Sequence, residues 1–165
     1  LSEQVIIAID PGEVVMGYTV GGFRGQQRRL IDFGDLKDVD AERAVRWLDA
    51  LCCGRWPNVI AIEGFTFQGE KRSNNAGAQR AAAVTNALHG AALMWTRRAN
   101  DSLTQVIMVS KNDANKTLGL TGACPKDRVK RAIDAVFPGN KLANQHQRDA
   151  ALVLLAGKTR SGRAS

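Results

Sequence analysis

Gln4 to Asp10 is a nearly continuous apolar run, Val5-Ile6-Ile7-Ala8-Ile9, that closes on Asp10-Pro11-Gly12; Val59-Ile60-Ala61-Ile62 closes in the same way on Glu63-Gly64. Runs of this length without polar alternation read as strands buried on both faces. Each ends in an acidic residue at the edge of the core it has just built. A chain with two such runs is committed to a covered sheet carrying carboxylates at its rim.

The remaining elements follow from periodicity and punctuation. Val14 to Gly22 continues after the Pro-Gly turn and Gln27 to Phe33 follows Gly25, which gives three opening strands in a meander. A helix is expected from Ala41 to about Gly54, where Ala44, Val45, Leu48 and Leu51 recur at helical spacing and Asp38 or Asp40 can cap the start. After the strand Val59 to Ile62 comes a polar, basic stretch from Phe65 to Asn75. A long helix from Ala76 to about Arg97 follows, with Gly77, Ala81, Ala82, Gly90 and Ala91 allowing another backbone to approach, as a core helix or a dimer seam. Gln105 to Val109 is a further strand, and Lys111 to Leu118, Pro125 to Phe137 and Gln145 to Lys158 are helices. Strands followed by alternating helices give an α/β fold, a mixed β-sheet flanked by helices on both faces. The expected organisation is one domain over 1–158 and a frayed basic tail over 159–165.

Charge narrows the partners. The 165 residues carry 23 lysines and arginines against 16 acids, a net charge of +7, which favours a phosphate-bearing partner. No apolar run approaches the roughly 20 residues needed to cross a bilayer, so a soluble protein without a membrane partner is expected. Cys52, Cys53 and Cys124 lack metal-ligand spacing, and reduced thiols imply an intracellular location. The chain opens at Leu1, which leaves cytoplasm, nucleoid or an organelle after loss of an N-terminal segment as the expected compartments.

The candidate chemistry lies in four residues. Asp10 ends a strand where side chains meet a ligand, although Asp-Pro-Gly is also a common turn opener. Glu63 directly follows Val-Ile-Ala-Ile, so its charge requires compensation, by a bound cation or by a salt bridge to a nearby lysine. His146 and Asp149 lie three residues apart on one helical face, polar side out, while Ala150, Val153, Leu154 and Gly157 pack inward; a solvated helix start would account for them equally well. Together, three carboxylates and one imidazole are the donor set of a magnesium-dependent phosphodiesterase. In such a site two Mg²⁺ ions about 4 Å apart, bridged here by Asp10, activate water and stabilise the leaving 3′ oxygen. His146 as ligand, or as base toward the attacking water, would let Mn²⁺ substitute.

Ile9-Asp10-Pro11-Gly12 with Gly17-Tyr18, then Ile62-Glu63, then Gly77 and Arg80, and finally His146-x-x-Asp149-Ala150 resemble the RuvC family of Holliday-junction resolvases over nearly the whole chain. The resemblance implies a ribonuclease H-like fold, a homodimer, and Mg²⁺-dependent paired nicks in a four-way DNA junction. It places Asp10, Glu63, His146 and Asp149 in the metal-binding tetrad; many members of that family carry aspartate where this chain has His146. It also implies an aromatic wedge after the glutamate, for which Phe65 and Phe67 compete, and basic residues near the centre, for which Lys111, Lys116 and Lys126 are candidates. Lys71, Arg72 and Asn74 in the loop after Glu63, Arg80 on the long helix, and Lys126 with Arg128 on a later helix are the expected DNA contacts.

Overall fold

The computed structural model describes residues 2–64, 75–98, 104–121 and 124–162. In chain order they form β1 (Gln4–Pro11), β2 (Val15–Arg24), β3 (Gln27–Lys37), α1 (Ala41–Arg55), β4 (Val59–Glu63), α2 (Ala76–Arg98), β5 (Gln105–Val109), α3 (Lys111–Thr117), α4 (Lys126–Val136) and α5 (Gln145–Ser161). The strands make one sheet in the order β3-β2-β1-β4-β5, antiparallel from β3 to β1 and parallel from β1 to β5. This is the mixed sheet the sequence implied.

Successive strand residues face opposite sides, so each buried strand feeds two cores. Ile7, Ile9, Ile60 and Ile62 pack with Ala44, Leu48 and Cys52 of α1 and with Val84, Leu88 and Ala92 of α2. Ile6, Ala8, Val59, Ala61 and Val109 pack on the other face with α5 and with Val129 and Ile133 of α4. Strand register is fixed at the lower end by Asn58. Its Oδ1 accepts from Val5 N at 2.7 Å, its N–H donates to Val5 O and its carbonyl accepts from Gln105 N, both at 2.8 Å. One side chain and its own backbone thus tie the start of β1, β4 and β5 together, and the three strands run in step toward their acidic ends.

The last helix lies unusually close to the sheet. A Cβ on Gly17 of β2 would run into the backbone of His146, and a Cβ on Gly157 of α5 would stand 2.8 Å from the Ala61 Cβ. Glycine at both contacts lets the helix settle against β1, β2 and β4 and bury Ala150 through Gly157. A helix buried nearly all round needs no polar stripe, and here the sequence reading is corrected: Asp149 does not face solvent but is 9% exposed. The helix also runs past Lys158 to Ser161, so 159–161 are helical rather than frayed. Arg160 Nη1 donates to Met108 O at 2.7 Å, and Ser161 Oγ accepts from Gln4 Nε2 at 3.1 Å. β3 likewise continues beyond Phe33 to Lys37, paired along β2 despite its polar Asp35 and Lys37.

Other expectations fall into place locally. Asp40 caps α1 by accepting from Arg43 N at 2.8 Å. On α2, Ala78, Ala81, Val84, Leu88, Ala92 and Trp95 are buried, which makes one face of this small-residue helix part of the core. Cys52, Cys53 and Cys124 are free, and burial pushes the Cys52 thiol up to about 12, the state of an inert structural cysteine. Among the described residues no helix is long and apolar enough to cross a membrane.

Candidate active site

Register decides where the acids go. Ile9 pairs with Ile62 across the parallel β1–β4 ladder, and both belong to the core under α1 and α2. The next residues, Asp10 and Glu63, therefore turn to the opposite face, beneath the start of α5. Glu63 in turn pairs with Val109 of β5, and the chain reaches Lys111 two residues later at the start of α3. Asn144 caps α5, its side chain accepting from Gln147 N at 3.0 Å, and brings His146 and Asp149 over the ends of the strands.

The contacts within this cluster are specific. His146 Nδ1 faces Asp10 Oδ2 at 3.6 Å, an ion-pair distance. Asp149 Oδ1 accepts from Gln145 Nε2 at 2.7 Å, and its Oδ2 stands 3.5 Å from Lys111 Nζ. Asp10 and Asp149 are buried, whereas the His146 side chain is 41% exposed and reachable from solvent. All four tetrad residues of the sequence reading are thus brought to one edge. Lys111 joins them directly, so the lysine salt bridge weighed for Glu63 is made to its neighbour Asp149 instead.

The electrostatics record the crowding. Burial, reinforced by the charges of Asp10 and Asp149, pushes the Glu63 carboxyl up to about 8, and Lys111 opposes this. Burial also raises Asp149, against the pull of Lys111. Burial works against the charge of Lys111, yet Asp149, Glu63 and Asp10 together hold its ammonium above its ordinary range. The facing Asp10 carboxylate raises the His146 imidazole, and Asp149 and Asp35 add to the effect.

The donor chemistry fits a hard divalent cation: three carboxylates from three elements, one imidazole, and a partly buried acid forced toward its neutral form by burial and like charge. Among the described residues no three histidine, cysteine or acidic side chains stand close enough to hold a metal as they are. Lys111 instead neutralises the acids and Gln145 holds one oxygen of Asp149. Asp10, Glu63, Asp149 and His146 are the residues that would hold such an ion.

The basic residues divide. Lys111 lies in the cluster; Arg80 on α2, Lys116 on α3, and Lys126 and Arg128 on α4 are exposed, and among the described residues none of these four contacts the tetrad. Phe65, Phe67, Lys71, Arg72 and Asn74 lie outside the described residues. Sequence reading missed Gln145, Asp35 and Gln147. The i, i+4 spacing of Gln145 and Asp149 on one helix is a signal that would have found the first.

No protein-family model and no curated protein matches the chain in sequence. Solved structures do match in shape. Thermus thermophilus RuvC, in complex with a Holliday junction substrate, superposes with a TM-score of 0.73 at 17% identity over 97% of this chain and 96% of that one. A second Thermus thermophilus RuvC structure gives 0.73 at 19% identity, covering 96% and 97%. The yeast mitochondrial Holliday junction resolvase gives 0.65 at 12% identity, covering 93% and 77%. At such identities the likeness is one of architecture, and it establishes that this chain has the RuvC-like variant of the ribonuclease H-like fold.

Proposed function

We propose that this protein is a metal-dependent endonuclease that resolves four-way DNA junctions. The observation that supports it most is the delivery of Asp10, Glu63 and Asp149, from two strands and a helix, to one edge of a fold shared with junction resolvases. In this reading Mg²⁺, or Mn²⁺ in its place, would be held by the three carboxylates with His146, and two such ions would supply an activated water and charge neutralisation at the scissile phosphate.

The chain's own residues do the rest. Asp10, whose charge acts on both Glu63 and Asp149, would be one of the carboxylates that hold the ions. His146 Nδ1 stands 3.6 Å from Asp10 Oδ2, and where His146 does not itself hold an ion its exposed ring would accept a proton from, or orient, the attacking water. Lys111 Nζ, freed from Asp149, turns its charge to a non-bridging phosphate oxygen. Arg80, Lys116, Lys126 and Arg128 bind backbone phosphates along the exposed helices. One of Phe65 and Phe67 supplies the wedge that unstacks bases at the crossover. A homodimer presents two such sites, its two-fold axis matching the pseudo-symmetry of the junction, and makes paired nicks. The protein works in an intracellular compartment that holds DNA.

The test is a substrate panel: labelled four-way junction, linear duplex and flap, each with Mg²⁺, Mn²⁺ or chelator. Metal-dependent cutting confined to the junction is expected. Preferential cutting of the flap would reassign the substrate, and tight junction binding without cutting in either metal would make this a binding protein.

A further inference from the structure

Three paired residues lie in one row across the sheet: Asp10 of β1 opposite Gly17 of β2, and Gly17 opposite Asp35 of β3. Directly paired residues face the same side, so the two carboxylates flank a gap in which the backbone of His146 sits over the bare Gly17. The start of α5 is thereby gripped from both sides. Asp10 faces His146 at 3.6 Å. Asp35 Oδ1 accepts from Gln147 Nε2 at 2.6 Å and from Asn144 Nδ2 at 3.0 Å.

Gln147 is 5% exposed, and both ends of its amide are used: Nε2 donates to Asp35, and Oε1 accepts from Ala143 N at 2.8 Å. A buried amide is costly unless bonded in this way. Residues 144 and 147 share one face of the helix start, and residues 146 and 149 share the adjacent one. Holding the first pair on the edge strand fixes the rotation of the helix about its axis, and with it the aim of His146 and Asp149.

We infer that Asp35 and Gln147 form a clamp that positions His146 and Asp149 for catalysis without touching the reacting atoms; the inference rests on the nuclease reading above. It makes β3, an edge strand carrying none of the tetrad, part of the machinery.

The donor and acceptor of the clamp can be exchanged. Gln147→Glu alone sets a buried carboxylate against Asp35. Adding Asp35→Asn restores the pattern reversed. The new amide on β3 then donates to the carboxylate introduced on α5, whose second oxygen still accepts from Ala143 N, while the carbonyl of that amide still accepts from Asn144. Single-turnover cleavage of a four-way junction in saturating Mg²⁺ is expected to slow about 100-fold in Gln147→Glu, with junction affinity in Ca²⁺ within about 3-fold of wild type. The double variant is expected to recover to within about 5-fold. Mn²⁺ affinity of the protein alone, read by electron paramagnetic resonance, is expected to fall and recover in parallel. Far-ultraviolet circular dichroism checks folding; should Gln147→Glu fail to fold, Asp35→Ala removes the acceptor without burying a charge and carries the same expected loss. A folded Gln147→Glu variant with wild-type cleavage, or a folded double variant as slow as the single, overturns the clamp. A wild type that cuts nothing overturns the nuclease reading instead.

Discussion

The ammonium of Lys111 stands 3.5 Å from Asp149 Oδ2 and ties the start of α3 to α5 across the acid cluster. In the absence of a divalent cation its positive charge, together with the His146 imidazole beside Asp10, helps three acids share one edge. Its side chain is 62% exposed, so solvent screening limits its worth to about 1 kcal/mol or less. Lys111→Met is expected to lower the Tm of chelated protein by about 2–4 °C and to enlarge the rise in Tm on adding Mg²⁺. Differential scanning fluorimetry reads both; an unchanged Tm with an unchanged Mg²⁺ response would show that the lysine does not serve the cluster.

The pH dependence has a definite sign. Glu63 is raised from an ordinary 4.5 to about 8, so the metal-free folded chain holds a proton that the unfolded chain releases, and stability falls as pH rises through that window. The raised imidazole of His146 acts in the same direction: its contribution is full below its ordinary value of 6.5 and is lost as pH climbs through the folded value. Glu63→Gln is expected to flatten the fall measured by urea unfolding in chelator between about pH 5 and 8. Mg²⁺ displaces the same proton, so calorimetry in buffers of different ionisation enthalpy is expected to show proton release on binding at about pH 7, and affinity that rises toward about pH 8.

Close approach of α5 is tested at Gly17. Gly17→Ala puts a Cβ into the backbone of His146 and is expected to cost about 1–3 kcal/mol by urea unfolding. It is also expected to slow cleavage more than about 10-fold, because the displaced backbone carries a tetrad residue. A variant of wild-type rate would mean that the helix start tolerates displacement.

How much of this was legible in the sequence depended on distance along the chain. β1 and β4 were readable because unbroken apolar runs have one economical placement, in the middle of a covered sheet. The acids were readable because Asp10 and Glu63 stand where those runs end. Exposure of Asp149 was misjudged, since a helix start looks polar in sequence whether it meets water or the opposite strand. The bonds of Asp35 to Asn144 and Gln147 span 109 and 112 residues and have no local signature. Lys111 was visible as a nearby base, but its choice of Asp149 depends on how β5 delivers α3, a matter of tertiary geometry.

The exposed basic helix α4 gives a salt-dependence test. The double substitution Lys126→Ala with Arg128→Ala is expected to weaken junction binding and to reduce the slope of log affinity against log salt by about 2, roughly 1 for each phosphate that is no longer neutralised. An unchanged slope would remove α4 from the DNA surface.

Whether this fold resolves junctions with its acid cluster is decided by strand-resolved mapping of nicks in a mobile four-way junction, for wild type and for Asp149→Asn, in Mg²⁺ and in chelator. Wild type with Mg²⁺ is expected to place symmetric nicks in two opposing strands. Asp149→Asn is expected to cleave at least about 100-fold more slowly while junction binding is retained. Equal cleavage by the two proteins, or cleavage that persists in chelator, would contradict a metal-dependent resolvase built on these residues.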